Sequence, residues 1–119
     1  MPRRGWVALT EEREGRIAVN EAVFREINER LRRLNKSFAT LTETMTLICE
    51  CADFDCAEKI EMTPSEYDQL RADPALFAVK TGHETPEVEQ VVRSGRGYDV
   101  VHKNAGVARQ VAEATDPRL

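Results

Sequence analysis

Three cysteines lie close together in the chain, at Cys49, Cys51 and Cys56, in a C-x-C-x4-C spacing. Their thiolates can converge on one cation if the chain turns sharply after Cys49. A fourth ligand is then needed, and His83 is the best placed, since it belongs to a Gly-His turn that follows a predicted strand. A Cys3His set is a normal closed, tetrahedral zinc site, with Zn–S distances of about 2.3 Å and a Zn–N distance of about 2.0 Å. The pattern therefore predicts a structural zinc ion, because a closed set leaves no open position for water or substrate.

Other interpretations of these residues stay open. His102 is a second candidate for the fourth ligand, although its position in a predicted hairpin strand equally suits the surface. Without a metal, Cys49 is a small hydrophobic core residue, and Cys51 and Cys56 are ordinary loop thiols. A third possibility is a thiol or zinc redox sensor, in which oxidation of Cys51 and Cys56 loosens the fold. Three is an odd number of cysteines, so a disulfide framework within one chain is disfavoured.

No motif of catalysis is evident in the sequence. It contains no G-x-S-x-G, H-E-x-x-H or G-x-G-x-x-G pattern. The segment Arg93-Ser94-Gly95-Arg96-Gly97 lacks the residue order of a phosphate-binding loop. We therefore expect a protein without catalytic activity and without a small-molecule substrate.

A long amphipathic helix is predicted from about Thr10, a plausible N-cap, to about Lys36. Its apolar residues follow a heptad-like spacing, which suggests a seam for a protein partner or a homodimer. Asn20 falls at the same register and is a candidate for setting the alignment of a helical pair. The alternative is that the helix packs on its own domain, since further apolar residues widen the face. The candidate partner-binding residues are Ile17, Phe24, Ile27, Leu31 and Leu34.

The end of this helix is basic, with Arg30, Arg32 and Arg33 close together. These arginines are weak candidates for nucleic-acid contacts, and a solvated helix end is the simpler interpretation. The chain as a whole carries a formal net charge of −4. That sign is wrong for a general nucleic-acid binder, so nucleic acid is an unlikely partner.

The rest of the chain predicts short strands and two shorter helices. A strand enters the cysteine cluster at residues 44–49, and Thr63-Pro64-Ser65-Glu66 is a capping box that opens a central helix. A strand at 76–80 and a β-hairpin over 88–103 follow, and Asn104 is predicted to cap a short C-terminal helix. The fold class is therefore α+β, with a small, mostly antiparallel sheet. We divide the chain into an arm and amphipathic helix (1–43) and a small α+β domain with the cysteine cluster (44–119).

Nothing in the sequence suggests export or membrane insertion. No apolar run approaches the roughly 18 residues that a membrane span needs. The N-terminal segment has a basic start but reaches Glu11 before an export signal is complete. We expect a cytoplasmic protein with reduced thiols.

Many residues between Ile48 and Val101 follow one pattern, made of the three cysteines, a central segment with a capped helix, the Gly-His turn and a valine-rich hairpin. The positions are Cys49-Glu50-Cys51, Cys56, Ile60-Glu61-Met62-Thr63, Glu66-Tyr67, Arg71, Pro74, Phe77, Gly82-His83, Val88-Glu89, Val91-Val92 and Tyr98. This pattern resembles a group of short, uncharacterised actinobacterial-type proteins with the same cysteines and Gly-His. The resemblance covers about half of the chain and brings no known activity. It implies that the cysteines and His83 belong to one unit, which favours a metal site.

Taken together, these features predict a small, intracellular, zinc-stabilised protein-interaction or regulatory module. Zinc is the only cofactor expected. The alternatives are a nucleic-acid-associated regulator that uses the basic helix end, and the redox sensor described above.

Overall fold

The structure is a computed structural model that describes residues 2–37 and 44–118, with side chains described for residues 11–35 and 44–118. Within those residues the fold is α+β, as predicted, with three helices and five strands. In chain order these are α1 (Pro2–Ser37), β1 (Met45–Ile48), β2 (Lys59–Met62), α2 (Pro64–Arg71), β3 (Leu76–Lys80), β4 (Glu89–Ser94), β5 (Tyr98–Lys103) and α3 (Val107–Ala114). None of the described helices is long and apolar enough to cross a membrane.

The first helix begins earlier than predicted, at Pro2 and not at Thr10. Proline suits the first position of a helix, because its missing N–H has no partner there in any case and its φ is already helical. The predicted arm at 1–9 is therefore helical backbone from Pro2 onward. The end at Ser37 agrees with the prediction, and residues 38–43 lie outside the described residues.

The strands form two small antiparallel sheets. One contains β1 and β2, with Met45 opposite Met62 and Ile48 opposite Lys59. The other has the order β3-β5-β4 and contains the predicted hairpin, with a register shift between Val91 and Arg93. The sequence analysis did not identify β2, because its four residues alternate between exposed and buried positions over too short a run to stand out.

The two shorter helices differ in how they begin. Thr63 caps α2 with the predicted reciprocal capping box, in which Thr63 Oγ1 accepts from Glu66 N and Glu66 accepts from Thr63 N. The predicted capping role of Asn104 is wrong. The cap of α3 is Gly106, at φ +139°, and the Asn104 N–H donates to Val88 O at 2.8 Å instead. This bond extends the pairing at the edge of the hairpin, and α3 begins only at Val107.

The buried residues of the domain form a continuous interior between α1 and the two sheets. A first group of apolar side chains joins the β1–β2 sheet to α2, with Leu47, Tyr67 and Val100 among its members. A second group surrounds Phe77 and includes the cysteines. The helix α1 covers both groups and α3 packs beside it. The cysteine loop therefore lies at one end of this interior, next to α1.

Candidate metal centre

The four predicted ligands meet at one point. One donor atom from each of Cys49, Cys51, Cys56 and His83 lies within 4.8 Å of every other. The Sγ atoms of Cys49 and Cys56 are each 3.6 Å from His83 Nδ1. A regular tetrahedron with the usual zinc bond lengths has S···N edges of about 3.5 Å. The group therefore has the size and donor set that a tetrahedral metal ion requires.

A loop that leaves β1 and returns to β2 supplies the three cysteines. The Cys49 N–H donates to Glu58 O at 3.0 Å, which closes the base of the loop where the two strands begin to separate. Within the loop, the Cys56 N–H donates to Asp53 O at 3.0 Å, and the Asp55 N–H donates to Asp53 Oδ1 at 2.9 Å. These two bonds turn the chain back, so that the thiol of Cys56 comes to the other two. This is the sharp turn that the C-x-C-x4-C spacing required.

The fourth ligand comes from the other sheet. After β3 the chain turns at Gly82, which has a φ of +87° that favours glycine. The His83 N–H donates to Lys80 O at 2.8 Å, and this turn directs the imidazole towards the cysteines. The Lys80 N–H also donates to Cys49 Sγ at 3.1 Å. Such a bond stabilises negative charge on the sulfur and connects β3 directly to the first cysteine.

Glu50 faces the opposite way from its two cysteine neighbours and holds the loop from behind. Its carboxylate is fully buried and accepts two hydrogen bonds from Arg71, at 2.7 and 3.0 Å. Asn28 Nδ2 donates to the same carboxylate at 2.7 Å and also to Ile48 O at 2.8 Å. The Ala78 N–H adds a further bond at 3.0 Å. The carboxylate is therefore satisfied by protein donors, and the two flanking thiols are left pointing at the candidate metal position.

The thiols affect one another strongly in the absence of a cation. A hydrogen bond from the Cys49 thiol lowers the pKa of Cys51 to about 5. The same hydrogen bond, together with burial, raises the pKa of Cys49. Burial also raises the pKa of Cys56. The cluster therefore favours one thiolate, on Cys51, whereas a bound cation favours the deprotonated form of all three.

The centre lies at the edge of the core. Cys49 and Cys51 are buried, while Cys56 and His83 are half-buried. A cleft of about 410 Å³ reaches the centre from the side of α1, with Arg13 among its lining residues. These four side chains would supply all the ligands of a tetrahedral ion, so the arrangement suits a structural role.

His102, the second candidate for the fourth ligand, lies elsewhere. It is a residue of β5 opposite Leu76 of β3, and its Nε2 is 3.8 Å from Asp73 Oδ2. His102 is therefore a residue of the surface and not the fourth ligand; the surface was one of the two predicted interpretations.

The predicted partner-binding seam is divided between two sides of α1. Ile17 and Phe24 are buried in the domain, and Leu31 packs against the first apolar group. Only Ile27 and Leu34 are exposed, at 40% and 63%. A seam of these five residues is therefore not available to a partner, because three of them already pack on residues 44–118, which we call the body.

Asn20 and the arginines of α1 also contact the body. Asn20 Nδ2 donates to Ala52 O at 3.0 Å in the cysteine loop, so this residue does not face a partner helix. Arg32 makes two hydrogen bonds to Asp68, at 3.0 and 2.9 Å. Arg30 lies 3.7 Å from Glu26 on the same helix, and Arg33 is exposed. The basic end of α1 is therefore interspersed with acidic side chains.

A second polar cluster lies under α1 and was not identified in the sequence. Lys103 of β5 donates to both Glu21 of α1 and Glu89 of β4, and all three side chains are fully buried. Burial raises the pKa of Glu21 to about 9, against the opposing effect of the Lys103 charge. Burial therefore favours the protonated form of Glu21, in which one carboxylate remains for one ammonium group. In the sequence, the only indication of this buried polar side of α1 is a set of polar residues at helical spacing beside the apolar seam.

Arg25 of α1 is a further buried cation. Its guanidinium donates to Pro74 O at 2.7 Å and to Ala112 O at 2.9 Å. It also lies over the ring of Phe77, 4.6 Å from the ring centre. These contacts join α1 to α3 and to the turn before β3.

Comparison with known proteins adds no relative, since no family model, no curated protein and no solved structure matches this chain.

Proposed function

We propose that this chain is a small, zinc-stabilised protein-interaction or regulatory module without catalytic activity. The observation that carries the proposal is the convergence of Cys49, Cys51, Cys56 and His83 within 4.8 Å of one another. Zinc is the ion of choice because three thiolates and one imidazole in a tetrahedral arrangement match its preferences. Hard cations such as Mg²⁺ and Ca²⁺ prefer oxygen donors and do not suit this set.

The ion adds a link between the two sheets, which also pack on each other through the first apolar group. Its cysteine ligands lie between β1 and β2, and His83 follows β3, so one ion crosslinks the two sheets. The direct backbone link between them near the centre is the bond from Glu50 N to Ala78 O, at 2.8 Å. Free energy of metal binding then becomes free energy of folding, because the unfolded chain does not present a preformed site.

The role of an interaction module is supported by the outer side of α1. Most of the inner side is occupied by contacts with the body, but Val19, Val23 and Ile27 remain exposed on the outer side. Large apolar side chains grouped on one exposed helix face are typical of a surface that a partner covers.

The test is the metal content of protein purified without chelator and without nickel resin. We expect one zinc per chain, and we expect His83→Ala to lose most of the zinc and to lower the melting temperature. The matched control is His102→Ala, because this histidine lies outside the cluster and should leave both quantities unchanged. Protein without any bound metal, and with the same stability in both variants, would rule out the zinc site.

A thiol redox sensor is the second candidate, and the sulfur geometry favours it. The Sγ atoms of Cys51 and Cys56 lie within 4.8 Å of each other, and Cys56 is half-buried. Hydrogen peroxide takes two electrons from the two thiolates, which forms one S–S bond and, with two protons, two molecules of water; zinc is released. Zinc release by peroxide that a thiol reductant reverses would support this function, and resistance to peroxide would exclude it.

A further inference from the structure

The outer side of α1 carries a second heptad-like pattern, distinct from the buried seam. Counted along the helix, its positions are separated alternately by four and three residues, as in the a and d positions of a coiled coil. In order these are Glu12, Arg16, Val19, Val23, Glu26 and Arg30. They lie on the side of the helix opposite Glu21 and Asn28, which are fully buried against the body.

The apolar centre of this face is open. Val19 is 55% exposed and Val23 is 40% exposed. Beside them is a groove of about 480 Å³ between α1 and α3, to which Ala22 and Val111 also contribute. An apolar groove on a helix face is a surface on which a second helix can pack.

The charges on this face are self-complementary in one antiparallel alignment. If two copies of α1 cross about a two-fold axis at the level of residue 21, Glu12 lies opposite Arg30 of the second copy. In the same alignment Arg16 lies opposite Glu26, and Val19 lies opposite Val23. Each layer pairs an a position with a d position, as antiparallel coiled coils require. Opposite charges therefore flank an apolar centre on both sides, and like charges never meet.

We infer that the partner of this module is a second copy of the same chain, docked through the outer face of α1 in this antiparallel register. The inference rests on the proposed interaction role and identifies its partner, but it does not depend on the metal. An isolated helix pair of this length is weak, because each helix must also be ordered. Here α1 is already held by buried contacts to the body, so association does not carry that cost.

Native mass and sedimentation of the zinc-loaded full chain test the inference directly. We expect a reversible dimer with a dissociation constant of about 10 µM. The layer of residues 16 and 26 occurs twice in the dimer because of the two-fold axis. In Arg16→Glu, two carboxylates face each other in both of these layers. In Glu26→Arg, two guanidinium groups face each other there. Each variant alone should raise the dissociation constant at least about tenfold. Arg96→Glu, an exposed charge reversal in the hairpin loop, is the matched control and should dimerise like the unaltered chain.

Mixing the two variants makes the test specific for the register. In a mixed dimer, opposite charges meet again in both layers. One layer pairs the two altered positions, 16 of one copy and 26 of the other. The other layer pairs the unaltered Glu26 of the first copy with the unaltered Arg16 of the second. The equimolar mixture should therefore form a heterodimer that is tighter than the homodimer of either variant. A monomeric mixture, or a dimer that the charge reversals do not weaken, would overturn the alignment.

The unaltered chain tests whether self-association occurs at all. A chain that stays monomeric at about 1 mM would overturn self-association and leave a different protein as the occupant. Zinc content measured on the same samples separates these outcomes from a failure of the metal site.

Discussion

Two of the polar clusters in the described interior are neutralised in different ways. The cysteine centre brings together three thiols and an imidazole, a donor set that suits an external cation. The cluster of Glu21, Glu89 and Lys103 contains its own cation, and burial favours the protonated form of Glu21. One cluster is therefore expected to depend on the metal supply, while the other depends on pH.

The clusters also differ in how they are built. Three of the four candidate ligands lie within one loop, between residues 49 and 56, and the fourth, His83, follows β3. The ionic cluster takes one residue from each of α1, β4 and β5. A local cluster leaves a spacing that can be recognised in a sequence, whereas a cluster of distant residues leaves none.

Removal of the metal should have the largest effect. Extraction of zinc by a chelator is expected to lower the free energy of unfolding by at least about 4 kcal/mol, the value for a ligand present at a thousand times its dissociation constant. The Lys80 N–H, which donates to Cys49 Sγ, should lose its protection from hydrogen exchange. Urea unfolding and hydrogen exchange measure these changes. Equal stability with and without chelator would contradict the expected dependence on metal.

Removal of the internal cation should be nearly as costly. Lys103→Met leaves a buried carboxylate without its partner, and we expect a loss of about 3–5 kcal/mol in the free energy of unfolding. The double variant Lys103→Met with Glu89→Gln should recover part of this loss, because no charge then remains unpaired. Lys59→Met is the control, since Lys59 is exposed. Zinc content should be unchanged in all three variants; its loss in Lys103→Met would show that the two clusters are not independent.

The third expected effect is a pH dependence, and over a single pH unit it is smaller than the two losses above. The pKa of Glu21 is raised from its ordinary value of 4.5 to about 9 in the folded protein. Between these values the folded chain holds a proton that the unfolded chain releases. This group therefore lowers the free energy of unfolding as the pH rises, by about 1.4 kcal/mol per pH unit.

The variant Glu21→Gln tests this assignment. It should remove the slope and be more stable than the unaltered chain at pH 9, with little difference at pH 5. Urea unfolding at several pH values between 5 and 9 measures the effect. Parallel pH profiles for the two proteins would show that Glu21 is already ionised in the folded state.

Several parts of the fold could be predicted because their signals are local. The capping box at Thr63 needs only the residues of one helical turn, and the strand at Leu76–Lys80 and the hairpin after it follow from alternation and a glycine-containing loop. The ligand set could be predicted for the same reason. Thiolates at C-x-C-x4-C spacing restrict the chemistry before the fold is known. The start of α3 was misplaced because a tertiary bond from Asn104 to Val88 competes with the cap.

The two faces of α1 show where this kind of prediction ends. Apolar periodicity indicated an amphipathic helix, and the helix is present. Tertiary structure decided which residues face the body, because it supplies their partners. Glu21 is buried beside Lys103. Arg25 is buried because the carbonyl oxygens of Pro74 and Ala112 accept its hydrogen bonds. Val19 and Val23 remain exposed because no element of the described chain covers them. Burial of a polar side chain depends on groups that are distant in sequence, so the spacing along one helix does not contain that information.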